Sequence, residues 1–239
     1  MKTQTILLSG GLLLLALISS LGLSVRQWSS AEQALVRVEQ QRYHAHLLAE
    51  ELRHTSDDLS HFARSYAITG DERYMFAFQR VRAVRAGQHA RPANFNLAYW
   101  DLVLAGFPAP SEDGQAVPLL TRLKDTGVKT EELQMLKDAE AASDSLAEIE
   151  SNALLATSGT KEQRDHAIQQ LHSSQYYLAK GQIMKSYNNF ITTLDRRNQR
   201  EIDAAQQRLW ATASLIWINL GLMALTVLAG VVMLKRRLQ

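Results

Sequence analysis

The chain has 239 residues, with 26 lysines and arginines against 24 aspartates and glutamates, seven histidines and no cysteine. A near-neutral balance, with no concentrated basic patch in the middle of the chain, argues against nucleic acid as a partner. Lack of cysteine removes disulfides, thiol nucleophiles and cysteine-ligated zinc. The slightly negative mean hydropathy hides two populations, since two charge-free apolar runs flank a polar middle.

The first run, residues 5–25 (TILLSGGLLLLALISSLGLSV), is long enough to span a hydrocarbon core, which takes about 20 helical residues. Lys2 would suit a signal peptide. The run exceeds the roughly 7–15 residues of a signal h-region, however, and no small-x-small cleavage site stands out near Ser19 to Ser24. We read it as an uncleaved transmembrane helix. The second run, residues 209–234, opens with Trp210 and Trp217 and is followed by Lys235, Arg236 and Arg237, the pattern of an interfacial aromatic edge and a cytoplasmic basic anchor.

Two spans put both termini on one side, and Lys2 agrees with the C-terminal cluster that this side is the cytoplasm. The expected layout is a cytoplasmic N-terminus (1–4), a first transmembrane helix (5–25), a periplasmic helical domain (26–208), a second transmembrane helix (209–234) and a basic anchor (235–239) in a bacterial inner membrane.

Within the middle domain, Val38, Ala45, Leu52, Leu59 and Tyr66 recur every seven residues, with Leu48 and Phe62 in the intervening slots. This spacing predicts a helix that continues the first span, in a bundle or weak coiled coil, with Gln41 and Thr55 interrupting its seam. Thr69-Gly70-Asp71 should end it, Gly70 taking a left-handed cap and Asp71 capping a second helix over 72–85.

All four prolines, Pro92, Pro108, Pro110 and Pro118, fall in one stretch, so residues 87–129 are expected to form an irregular insert between helical segments. Thr130, Glu131 and Glu132 mark the start of a third helix, whose apolar stripe runs through Leu133, Leu136, Ala139, Ser143, Leu146, Ile149 and Ala153 to a stop at Ser158-Gly159. Thr160 with Gln163 forms a capping-box pattern for a fourth helical stretch, with Gly181 as its expected bend before the second span. Asn198 falls in the Met184–Ile191–Ala205 series and is read as exposed, a register-setting seam residue being the alternative. The fold class predicted is all-α: two transmembrane helices flanking an up-down four-helix bundle with a proline- and aromatic-rich insert.

Catalytic signatures are missing: there is no Gly-rich phosphate loop and no nucleophile elbow. His44 and His46 are two apart and His54 and His61 seven apart, spacings at which a helix cannot chelate one ion. No enzymatic activity, metal or cofactor is expected. The most unusual segment is RPANFNLAYWDLV, which gathers Phe95, Tyr99, Trp100 and Asp101. Aromatic groups beside a carboxylate suit an organic cation or a small polar solute; packing of the insert onto the bundle is the competing role for these rings. Arg64 and Tyr66 precede the Thr-Gly break, and Tyr176, Tyr177 and Lys180 precede the last helix, so an antiparallel bundle would bring them toward the insert and offer cations for an anionic group. The candidate ligand-binding residues are therefore Arg64, Tyr66, Asn94, Tyr99, Trp100, Asp101 and Lys180.

The segments ELRHTSDDLSHFARSYAITGDERY (51–74), RPANFNLAYWDLVLAG (91–106), LKDAEAASDSLAEIE (136–150) and YYLAKGQIMKSYNNF (176–190) resemble the periplasmic sensor region of some bacterial methyl-accepting chemotaxis proteins, hybrid histidine kinases and diguanylate cyclases. The resemblance implies a helical sensor of a small periplasmic ligand, acting as a homodimer and passing a movement of its second transmembrane helix to a cytoplasmic signalling module. No HAMP-like linker, methylation helix, kinase or cyclase region follows the basic anchor, so a receptor fragment and a free-standing subunit signalling through a partner protein both remain open. The rival function is a membrane-anchored helical scaffold.

Overall fold

The structure, a computed structural model, describes residues 2–93, 95, 98–108, 111 and 114–238, with side chains from residue 8 onward except at 234, 237 and 238. Among the described residues it is all-helical, without strands: α1 (Lys2–Thr69), α2 (Glu72–Arg85), α3 (Tyr99–Leu104), α4 (Leu119–Lys124), α5 (Thr130–Thr157), α6 (Lys161–Leu171) and α7 (Ser174–Leu238).

Local sequence explains where these helices stop. The Gly70 N–H donates to the Tyr66 carbonyl at 2.7 Å with φ +69°, a left-handed turn that a Cβ would resist. Asp71 then accepts from the Arg73 backbone N–H at 3.0 Å and caps α2. At the start of α6, Thr160 and Gln163 satisfy each other's backbone N–H groups at 2.8 and 3.3 Å, closing two of the donors that a helix N-terminus leaves unpaired. The fourth helical stretch breaks at His172-Ser173 rather than bending at Gly181, which lies inside α7. There the Ser173 hydroxyl accepts from the Tyr176 N–H at 3.1 Å and restarts the helix.

Residues 41–196 form one compact unit and residues 1–40 with 197–239 another. The 41–196 unit holds two apolar cores. In one, Leu59, Phe62 and Tyr66 of α1 pack with Phe78 and Val81 of α2, Tyr99 and Trp100 of α3, Leu146 and Leu154 of α5, Leu171 of α6 and Ile183 of α7. In the other, Ala45, Ala49 and Leu52 of α1 meet Leu119 and Leu123 of α4, Leu133 and Leu136 of α5, and Phe190 and Leu194 of α7. The three longest helices therefore enclose both cores, and shorter helices complete each. Residues 87–129 contribute directly through α3 and α4. Gly87 permits the return of this segment: at φ +69°, a Cβ there would stand 2.5 Å from the Pro118 nitrogen.

Two details differ from the periodic reading. Ile149 is exposed and Glu150 is buried beside Leu146 and Ala153, because the helix turns 100° per residue and a slip of one position exchanges a rim slot for a core slot. Thr55 is buried, yet its hydroxyl is satisfied by the Glu51 and Leu52 carbonyls at 2.8 and 3.1 Å, so it fits an apolar seam without a partner on another helix.

In the second unit, α1 and α7 carry stretches long and apolar enough to cross a membrane, only 11% and 6% buried by the chain itself. Apolar surface left uncovered on this scale is the state that lipid favours. Their polar side chains are prepared for such surroundings. The hydroxyls of Ser19, Ser24, Ser214 and Thr226 donate to the carbonyl four residues back at 2.7–3.0 Å. Thr212 does the same, and so does the Asn219 amide at 2.9 Å, which meets the requirement that polar groups in hydrocarbon be satisfied internally. Asn198 is 2% exposed and its Nδ2 has no partner among the described residues, contrary to the exposed position expected for it. Its neighbours Leu194, Ile202 and Ala205 are buried on the same stripe.

Candidate ligand site

Within the 41–196 unit, α1 and α7 run antiparallel and are laced by polar side chains in addition to the apolar contacts of the two cores. His46 Nε2 lies 2.8 Å from Asp195 Oδ1. The Tyr187 hydroxyl donates to Glu50 Oε2 at 2.6 Å. The Lys180 ammonium reaches Asp57 at 2.9 Å, the Ser60 hydroxyl at 2.8 Å and the Ser56 carbonyl at 3.3 Å. Positions rising along α1 meet positions falling along α7, which fixes the register by chemistry. Along α1 itself, Arg53 ties Glu50 to Asp57, with 2.8 Å to Asp57. Hydrogen bonding from Arg53 draws the Glu50 carboxyl below its usual range, against the opposing effect of burial.

Arg64 continues this seam. Its Nε donates to the Leu171 carbonyl at 3.0 Å, and its guanidinium carbon stands 4.6 Å from the Tyr176 ring centre and 4.9 Å from that of Tyr177. Stacking of this kind holds the planar guanidinium in one orientation. Tyr176 donates its hydroxyl to Glu150, which α5 places in the core with 1% exposure. Burial raises the Glu150 carboxyl above its usual range, opposed by hydrogen bonds from Tyr176 and Ser60 and by the charges of Lys180 and Arg64. Burial also raises the Tyr176 phenol, with the Glu150 charge adding to the shift.

On the neighbouring face of α1, Asp58 is pushed up to about 7, first by burial and then by the negative charges of Asp57 and Asp101, with Lys180 opposing. A further buried carboxylate, Glu51, is bracketed by Arg91 at 2.9 Å and Arg122 at 3.0 Å, so two arginines of the insert fasten it to α1. Buried Arg85 of α2 donates to Ser143 at 2.9 Å and Asp144 at 3.3 Å on α5.

The sequence-predicted residues divide into separate groups. Arg64 and Lys180 lie on the one α1–α7 seam, a helical turn apart in register. Tyr99 and Trp100, 4% and 6% exposed, lie in the first core, where the Trp100 ring meets Phe62 edge-on at 5.4 Å and Tyr99 at 5.0 Å. Residues two apart on a helix face apart, so the Phe62–Trp100 contact and the Arg64–tyrosine contact occupy different sides of α1. The buried Trp100 Nε1 has no partner among the described residues. Asp101 is exposed and acts on the polar cluster through Asp58. Tyr66 is buried with its hydroxyl 3.3 Å from Glu72 and 3.4 Å from Ser158, at the joint of α1 with α2 and α5. Asn94 lies outside the described residues.

The periodic reading did not single out Glu150, Asp58 or Glu51. A signal was present for Glu150, which stands four residues after Leu146 and three before Ala153, a charged residue in an apolar stripe. Asp58 and Glu51 offered none, since helix faces are assigned by packing. Among the described residues, no three His, Asp or Glu side chains are grouped to hold a metal ion. Comparison of the chain with protein-family models, with curated proteins and with solved structures gives no match.

Proposed function

We propose that this chain is the ligand-sensing transmembrane part of a bacterial signal-transduction receptor. In this reading residues 26–208 form a periplasmic four-helix bundle of α1, α2, α5 and the α6–α7 stretch, both termini are cytoplasmic, and two copies pair as a homodimer. Ligand binding biases the displacement of α1 against α7, and the second membrane span carries that bias to a cytoplasmic output module. The observation that supports it is that the two helices bearing membrane-length apolar stretches are the same two joined by a polar seam at His46, Glu50, Asp57 and Arg64. Seams of directional bonds have discrete registers, and a ligand that prefers one shifts the population toward it.

The test is a thermal-shift screen of small solutes on the full chain in lipid nanodiscs. A stabilising solute whose effect is lost in Arg64→Ala supports the reading. Absence of any responding solute, together with crosslinking in membranes that recovers one stoichiometric protein partner, would replace it by the scaffold function.

A further inference from the structure

The ligand's charge class follows from which groups of the candidate set are already satisfied. An organic cation would need open aromatic faces beside a carboxylate. Tyr99 and Trp100 instead have their rings closed in the core by Phe62 and Phe95, and Asp101 sits on the exterior. Arg64 has the opposite condition. Among the described residues it forms no ion pair, its Nε is taken by a neutral carbonyl, and its Nη2 is enclosed without an acceptor. Buried polar groups are nearly always paired, and a charged donor left unpaired is the costliest exception.

We infer that Arg64 anchors a small oxyanion, a carboxylate or a phosphate group, where α1 meets the first turns of α7. This rests on the sensing role proposed above and names the class of ligand that the site takes.

Three features carry the assignment. The nearby carboxylates are engaged elsewhere, Asp57 by Arg53 and Lys180 and Glu150 by Tyr176, so the Arg64 charge is not neutralised by direct pairing. Tyr176 and Tyr177 stack against the guanidinium and fix its plane, which orients the N–H groups that Leu171 leaves over for a charge-assisted hydrogen bond to an oxyanion. Tyr177, 53% exposed, is the solvent-facing member of the stacked pair and in this assignment supplies a neutral donor to a second oxygen. An oxyanion held at once by Arg64 on α1 and by the rim of α7 discriminates between registers of the two helices, which is what a sensor requires.

Isothermal titration of the full chain in nanodiscs, at fixed ionic strength, with succinate, inorganic phosphate and glycine betaine tests the assignment. Succinate or phosphate is expected to bind, and the one that binds identifies the source of the oxyanion. Arg64→Met should weaken that binding by about 10–100-fold, the range of a hydrogen bond to a charged group. Tyr177→Phe removes only an exposed hydroxyl and should leave folding intact while weakening binding by about 2–10-fold. Binding of neither anion to the wild-type chain overturns the assignment, as does anion affinity unchanged in both variants. Betaine binding unaffected by Arg64→Met, without anion binding, overturns the oxyanion and leaves the sensing role standing.

Discussion

Replacing Asp58 by asparagine should stabilise the protein at pH 8 and have little effect at pH 4. The Asp58 carboxyl rises from an ordinary 3.8 to about 7 on folding, because burial beside Asp57 and Asp101 disfavours its charge. A raised folded-state pKa means that the native state holds the proton more tightly than the unfolded chain, so stability falls as pH climbs from about 4 to about 7 and the penalty is complete above that. Three units at 1.36 kcal/mol each give about 4 kcal/mol as an upper bound. Asparagine keeps the shape and removes the charge. With about 2–4 °C per kcal/mol for a chain of this size, the variant's melting temperature should exceed the wild type's at pH 8 by at most roughly 8–16 °C, and the difference should close by pH 4. Thermal unfolding in nanodiscs followed by far-UV circular dichroism at both pH values reads this. A variant less stable than wild type at pH 8, or a difference independent of pH, would refute the account of Asp58 as a partly buried carboxylate under like-charge repulsion.

Other perturbations test the remaining contacts. Glu51→Ala leaves Arg91 and Arg122 facing an empty, largely buried position; it should cost about 3–5 kcal/mol and speed proteolysis within residues 87–129. Gly87→Ala should destabilise by more than about 1 kcal/mol, since both its positive φ and its approach to Pro118 resist a Cβ. Gly181→Ala, in open space within α7, should instead stabilise by about 0.5–1 kcal/mol in the same melting assay. Trp100→Ala should lose about 3–5 kcal/mol from the first core, whereas Trp100→Phe, which also deletes the unpartnered Nε1–H, should lose much less.

What the sequence determined by itself is whatever depends on near neighbours along the chain. The charge-free runs that become the apolar parts of α1 and α7, the breaks at Gly70-Asp71 and Ser158-Gly159-Thr160, and the α2 span all follow from hydropathy, backbone freedom and caps, which act within a turn or two. The repeat through Ala45, Leu52, Leu59 and Tyr66 likewise marks a buried face before any partner is known. Tertiary structure decided what those faces meet. Glu150 rather than Ile149 takes the inward slot because Tyr176, 26 residues away, supplies its hydrogen bond. Asn198 is buried on one stripe with Leu194, Ile202 and Ala205, a placement that periodicity alone leaves ambiguous. Arg64 and Lys180 fall on the same seam while Trp100 turns to the other side of α1, a division invisible in a linear reading that grouped all three. Burial also separates the carboxylates: Asp58 is raised toward neutrality, whereas Glu50 is lowered by Arg53. Local propensity selects helices, but only the packing of one helix on another sets which charges lose water and which find a partner.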